Sequence, residues 1–133
     1  IVKEYLSILE SNSIDLTSSF RDLSKILVND KKIKESVFSN IHNFDQWYEC
    51  WEQELNKNQN LNTAKKMDSI NPCYIPRNHI IEEVLMAAMN NDLSELNKFI
   101  KILENPFKEI SKYQEYASTP LNSDSNYVTY CGT

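Results

Sequence analysis

The residues best suited to chemistry lie close together near the middle of the chain, in residues 71–79. Pro72 and Pro76 exclude a continuous helix there, because each ring removes an N–H donor and clashes with the preceding turn. A rigid, extended segment that carries an aromatic ring, a cation and an imidazole could form a binding site. The same side chains could instead hold the turn, since buried Arg and His are costly unless they are hydrogen-bonded. We favour the structural role for this motif, which comprises Asn71, Pro72, Tyr74, Arg77, Asn78 and His79.

The cysteines and histidines do not form a metal-binding pattern. Zinc sites use four ligands in closely spaced pairs, and the chain has neither a CxxC nor an HxxxH spacing. Cys50 lies between Trp47 and Trp51, where a cysteine typically acts as a small buried hydrophobe, and we predict that it is buried. We predict no catalytic residue, no metal and no cofactor site in this chain, and no structural disulfide framework.

The scarcity of glycine excludes several kinds of nucleotide site. The chain contains one glycine, Gly132, whereas loops that cradle phosphates need several so that backbone N–H groups can approach closely. A Walker loop, a dinucleotide-binding fingerprint and a kinase glycine-rich loop are therefore excluded.

Composition and charge limit the class of protein. The chain has 133 residues, of which 41% are hydrophobic and 25% charged, values that are typical of one globular domain. A net charge of −5 argues against nucleic acid as a partner. Apolar runs long enough to span a membrane are absent from the sequence, and we expect a cytoplasmic protein without a membrane partner. Because the first residue is Ile1 and not Met, we expect a piece of a longer protein.

The elements that would position these residues are helices. Apolar residues recur at helical spacing in residues 1–9, 16–27, 33–41, 44–55, 80–88 and 96–103, and one or two further turns are expected within 61–70. Strand patterns are weak except at residues 127–130. The prediction is an all-α fold, an irregular bundle of about five to seven helices with a proline-containing extended crossing and an irregular C-terminal tail.

Polar residues mark the expected helix ends. Candidate caps are Asp15 or Thr17, Asn43 with Gln46 as a capping box, and Asp92 with Glu95 as a second capping box. Pro76 suits a helix start and Pro106 a helix stop. We predict a single domain organised as a first helical block (1–66), the crossing (67–79), a helical hairpin (80–105) and a tail (106–133).

Several segments, in order along the chain, resemble the motifs of one known family. Residues 67–79, MDSINPCYIPRNH, resemble its M-x-x-x-N-P-x-[YF]-x-x-R-N-[YH] segment. Residues 15–24 are similar to its D-[YL]-T-x-x-F-R-x-L segment. Further matches are Phe44 with Trp47 to F-x-x-W, residues 87–92 to A-A-x-x-G-D, Leu103 with Pro106-Phe107 to L-x-x-P-[FY], and residues 116–120 to Y-A-x-x-P. In their order and spacing these segments resemble the selenoprotein O / YdiU family.

The resemblance implies a function for a longer parent protein. Members of this family transfer AMP, with UMP also described, from a nucleotide to Ser, Thr or Tyr hydroxyls of proteins, and they use Mg²⁺ or Mn²⁺. Their ATP- and metal-binding residues lie in an amino-terminal kinase-like core, and none of those positions falls in this chain. The implied role here is a structural and regulatory C-terminal helical domain of a cytoplasmic bacterial enzyme.

The resemblance also implies partners and one regulatory residue. The partners would be the protein's own kinase-like core and the protein substrates of the parent. If the chain were crystallised alone, we expect the surface meant for the core to support a non-physiological dimer. Cys131 corresponds to a near-terminal Cys or selenocysteine that is a redox element in many relatives; the alternative is a small residue in a tail with no partner. The alternative for the whole chain is a non-catalytic helical interaction module.

Overall fold

A computed structural model describes residues 1–28, 31–55 and 60–119. Six helices of ten residues or more confirm the all-α prediction: α1 (Val2–Ser11), α2 (Leu16–Leu27), α4 (Phe44–Glu54), α5 (Asn60–Ile70), α6 (Asn78–Met89) and α7 (Ser94–Leu103). Shorter turns complete the order: α3 (Lys31–Ile33), a π-helical turn (Lys34–Phe38), a 3₁₀ turn (Ser111–Tyr113) and α8 (Gln114–Ala117). No strand occurs in these three described ranges.

Two hydrophobic clusters form the core. The first joins α1, α2, the π-helical turn and α4, through the buried residues Tyr5, Ile8, Leu9, Leu23, Ile26, Phe38, Phe44, Trp47 and Tyr48. The second joins the crossing to α6, α7 and α8, through Cys73, Tyr74, Ile80, Val84, Phe99, Ile102 and Tyr116. Each cluster is built from the apolar stripes of amphipathic helices, as the periodicity predicts.

Stacked aromatic rings dominate the first cluster. The rings of Tyr5 and Trp47 stack with centroids 4.4 Å apart, and those of Phe38 and Phe44 stack at 4.0 Å. The indole Nε1 of Trp47 donates a hydrogen bond of 2.8 Å to the carbonyl of Ile1. The buried tryptophan therefore has its polar atom satisfied and ties the first residue to α4.

One of the predicted caps is confirmed and two are wrong. Asp15 caps α2 by accepting a 2.8 Å hydrogen bond from the Ser18 N–H. Asn43 precedes α4 but makes no side-chain cap, because it turns the chain in the left-handed region with φ 68°. Asp92 accepts from the N–H of Ser94, only two residues on, so it does not form the expected box with Glu95.

Residues 71–77 are not helical and separate α5 from α6, as the two prolines predict; these seven residues are called the crossing from here on. The predicted bounds of 67–79 also include the end of α5 and the start of α6. Helix α5 runs to Ile70, so it is longer than the one or two turns expected. Helix α6 begins at Asn78 with Arg77 as its N-cap, two residues later than a start at Pro76. None of the helices in the described ranges has both the length and the apolar character needed to cross a membrane.

Candidate functional site

The guanidinium of Arg77 is held by a carboxylate of α2. Its two terminal nitrogens donate to Asp15, at 3.0 Å to Oδ2 and 2.8 Å to Oδ1. The side chain of Arg77 is 9% exposed and that of Asp15 is 23% exposed. The planar fork of arginine matches a carboxylate in this two-bond arrangement, which fixes orientation as well as distance.

Asp15 is strongly acidic in this setting. Burial by itself would raise the pKa of its carboxyl group, but hydrogen bonds from Arg77 and from Ser18 lower the pKa to about 2. The carboxylate is therefore ionised at neutral pH, and it serves at once as the cap of α2 and as the partner of Arg77.

A second buried arginine makes the opposite connection, from α2 to the end of α5. The Nη1 of Arg21 donates to the carbonyls of Asp68 at 2.9 Å and of Asn71 at 3.4 Å. It also lies 3.1 Å from the Asp68 carboxylate, which accepts a hydrogen bond from Ser24 on α2. Arg21 thus satisfies carbonyl groups where the helix ends and the crossing begins.

These contacts connect two segments that are far apart in sequence. We call Asp15, Arg21, Asp68 and Arg77 the clasp. Arg77, just before α6, binds Asp15 at the start of α2. Arg21, on α2, binds Asp68 near the end of α5. The clasp joins residues 15–24 to residues 67–79, the two segments whose patterns were singled out above.

The other side of the crossing is tied to the chain after α7. The Tyr74 hydroxyl donates to the carbonyl of Ile110 at 3.2 Å and accepts from its N–H at 2.9 Å. The N–H groups of Cys73 and Tyr74 both point to the carbonyl of Pro106, at 2.7 and 3.3 Å. The crossing is therefore fixed on both faces, and its buried aromatic ring lies in the second cluster.

The remaining motif residues do not join a reactive group. Asn71 contributes its backbone carbonyl to Arg21, Asn78 is exposed at the start of α6, and His79 is half-buried. Within the described part of the chain, no cluster of three or more His, Cys, Asp or Glu side chains could hold a metal ion. Of the motif side chains, Tyr74 and Arg77 are buried and make hydrogen bonds to other segments of the chain, and the structural role of the motif stays a prediction.

A cleft of about 500 Å³ lies beside the clasp. Its wall includes Arg21, Asp22, Lys25, Cys73 and Glu109, and both cations bind Glu109, at 3.5 Å from Arg21 and 3.2 Å from Lys25. Burial raises the pKa of the Asp22 carboxyl and that of the Cys73 thiol. Both cations are thus paired with Glu109, and the raised pKa of the Cys73 thiol lowers its thiolate content and hence its nucleophilicity.

Cys50 is exposed, so the prediction that it is buried is wrong. The buried stripe of α4 is set by Phe44, Trp47 and Tyr48, and at 100° per residue Cys50 falls outside that stripe. Cys73, by contrast, is buried and its Sγ lies 3.7 Å from the carbonyl of Phe107. Cys131 lies outside the described residues, and its redox role stays a prediction.

The two cysteines should differ in reactivity. In a Cys131→Ser background, we expect Cys50 to react with a maleimide at least about tenfold faster than Cys73, because thiol labelling follows exposure and thiolate content. Peptide mass spectrometry at increasing reaction times measures both rates in one sample. Labelling in urea is the control and should make the rates similar; similar rates under native conditions would contradict the assignment.

Sequence reasoning did not identify Arg21 as a site residue. The apolar periodicity of α2 gives no signal for it, because at about 100° per residue Arg21 lies roughly 100° from Phe20, outside the apolar stripe.

Comparison with known proteins gives a consistent result. A family model described as "Protein adenylyltransferase SelO" matches residues 1–104. The whole chain matches proteins named "Protein nucleotidyltransferase YdiU" from Pelagibacter ubique (38% identity, 27% of that protein), Pseudarthrobacter chlorophenolicus (33%, 26%) and Clostridium botulinum (33%, 27%). The chain thus spans about a quarter of the length of these curated relatives. No solved structure was found to match it.

Proposed function

The chain belongs to the protein adenylyltransferase SelO family, and on this premise we propose that it is the C-terminal structural and regulatory helical domain of a longer protein. That parent protein would transfer AMP from ATP to Ser, Thr or Tyr hydroxyls of other proteins. Transfer of UMP from UTP would be a variant of the same reaction. The proposal for the whole protein is supported by relatives whose printed name is protein nucleotidyltransferase.

The clasp is the observation that carries the proposed role of this chain. Its arginines are buried and are bonded to carboxylates and backbone carbonyls of segments distant in sequence. A buried charge is retained at a cost in desolvation, so its reciprocal use to join two segments supports a role in fixing shape. The helical block would then present a rigid surface to the rest of the parent.

Nucleotide binding and AMP transfer would be carried out by the part of the parent outside this chain. ATP and Mg²⁺ or Mn²⁺ would be bound there by the kinase-like core, in the cytoplasm. That core would be the main partner of this domain, and protein substrates would be partners of the parent. Cys131 would couple the tail to the core through thiol chemistry, as the family resemblance implies.

The proposal predicts where nucleotide label goes. The full-length parent, incubated with Mg²⁺ and ATP labelled at the α-phosphate, should incorporate label into protein, while ATP labelled at the γ-phosphate should give none. The 133-residue chain alone should incorporate no label, and Mg²⁺-ATP should not raise its melting temperature.

Two results would count against this assignment. Stabilisation of the 133-residue chain by Mg²⁺-ATP would place a nucleotide site within it. A folded parent that transfers label from neither ATP nor UTP would favour the alternative, a helical interaction module without catalysis.

A further inference from the structure

The C-terminal half of helix α6 is apolar on the side that faces away from the core. Its sequence NHIIEEVLMAAM contains eight apolar residues among twelve. Ile80 and Val84 are buried in the second cluster. Leu85, Met86 and Met89 point the other way and are 53%, 66% and 84% exposed.

The exposed apolar residues form one patch at the C-terminal end of α6. Successive residues of a helix turn by about 100°, so Leu85, Met86 and Met89 fall within an arc of roughly 100°, opposite Val84. We call these three residues the outer face of α6. The exposed Glu82 lies on the same side one turn earlier and bounds the patch. A surface helix usually carries polar residues on the side away from the core, so three neighbouring apolar residues there are unusual.

The composition of this face is typical of an interface. Methionine is enriched at protein interfaces, where its flexible thioether adapts to the opposing surface. A cluster of adjacent exposed apolar side chains in a protein that works in water marks a place where something else packs.

The length of the relatives indicates what packs there. The chain matches 26–28% of each listed relative, so about three quarters of their length lies outside it. A patch of three side chains is small beside the roughly 800 Å² per partner of a stable association between free molecules. It is sufficient for a domain on the same chain, where tethering supplies an effective concentration of about millimolar.

We infer that the outer face of α6 docks on the kinase-like part of the parent protein. This rests on the proposed function for the existence of that part, and it adds which surface of the helical domain meets it. Docking would remove the two methionine sulfurs from water and would leave the clasp on a different part of the domain.

Native methionines report this docking without any mutation. The chain contains three, and Met67, half-buried against the first cluster, is an internal control for folding. Oxidation of methionine to the sulfoxide follows the exposure of its sulfur. In brief treatments with dilute hydrogen peroxide, we expect Met86 and Met89 to oxidise at least about tenfold more slowly in the full-length parent than in the 133-residue chain, with Met67 unchanged.

A second comparison tests the face by substitution. The parent with Leu85→Gln should lose the protection of Met86 and Met89, whereas the parent with Leu61→Gln, which changes an exposed leucine on α5, should keep it. Equal oxidation of Met86 and Met89 in the parent and the chain would overturn the inference. Protection in the chain that grows with its concentration would also overturn it, because it would assign the face to a second copy.

The outcome is separable from that of the proposed function. Protected methionines in a parent that transfers no nucleotide would leave the docking intact and refute the activity. Label transfer by a parent whose Met86 and Met89 remain reactive would support the activity and refute the docking.

Discussion

Replacing Arg77 by methionine should lower the free energy of unfolding of the chain by about 3 kcal/mol. Breaking a buried ion pair by removing one partner costs roughly 3–5 kcal/mol, since the other charge is left without compensation. We expect the lower end because the side chain of Asp15 is 23% exposed. Urea unfolding followed by circular dichroism measures the change.

A surface pair of the same length is the matched control. Lys34 lies 2.8 Å from Asp45, the same distance as Arg77 from Asp15, but these side chains are 39% and 77% exposed. Lys34→Met should cost at most about 1 kcal/mol. An equal loss in both variants would show that burial does not determine the strength of the Arg77 pair.

The effect of Arg77→Met should depend on pH in a defined direction. The pKa of Asp15 is lowered from 3.8 to about 2 in the folded state, so its stabilising contribution is complete above about pH 4 and is lost as the pH falls towards 2. The difference between wild type and variant should therefore shrink over this range. A double-mutant cycle with Asp15→Asn, which keeps an N-cap residue, isolates the pair.

Replacing Arg21 by methionine should be more damaging, at about 4 kcal/mol. The variant would leave the carbonyls of Asp68 and Asn71 without their charged donor and the Asp68 carboxylate without its ion pair. Unsatisfied groups of this kind cost roughly 1–3 kcal/mol each, in addition to the lost pair. We expect faster cleavage by protease within residues 71–77 as well, because the crossing loses its anchor to α2.

Lys25→Met provides the comparison on the same helix. Lys25 is one turn from Arg21 and binds Glu109 at 3.2 Å, but it is 33% exposed. This substitution should cost less than about 1 kcal/mol and should leave the protease pattern unchanged. If Arg21→Met were as mild, Arg21 would not be the anchor of the crossing.

Features that depend on local sequence could be predicted. The helices follow from apolar periodicity, and the break after Ile70 follows from Pro72 and Pro76, since both are dictated by residues within a few positions. The cap at Asp15 is also local. The box expected at Asp92 failed because Glu95 instead accepts a hydrogen bond from Tyr116, twenty-one residues away.

The contacts of the site could not be read from the sequence. Arg77 and Asp15 are separated by 62 residues, and Arg21 and Asp68 by 47. Such pairings are set by how α2 packs on α5 and the crossing, and side-chain type alone does not specify the partner. Cys50 was predicted to be buried because it lies between Trp47 and Trp51 in sequence. Residues between two members of a helical stripe need not lie on that stripe, and Cys50 is exposed.

The direct test of the central claim is transfer of α-phosphate label by the full-length parent and by the 133-residue chain, measured side by side with Mg²⁺. We predict incorporation into protein by the parent and none by the chain, for which we propose a structural role without a nucleotide site. Incorporation by the chain alone, or its absence from a folded parent supplied with either ATP or UTP, would contradict the claim.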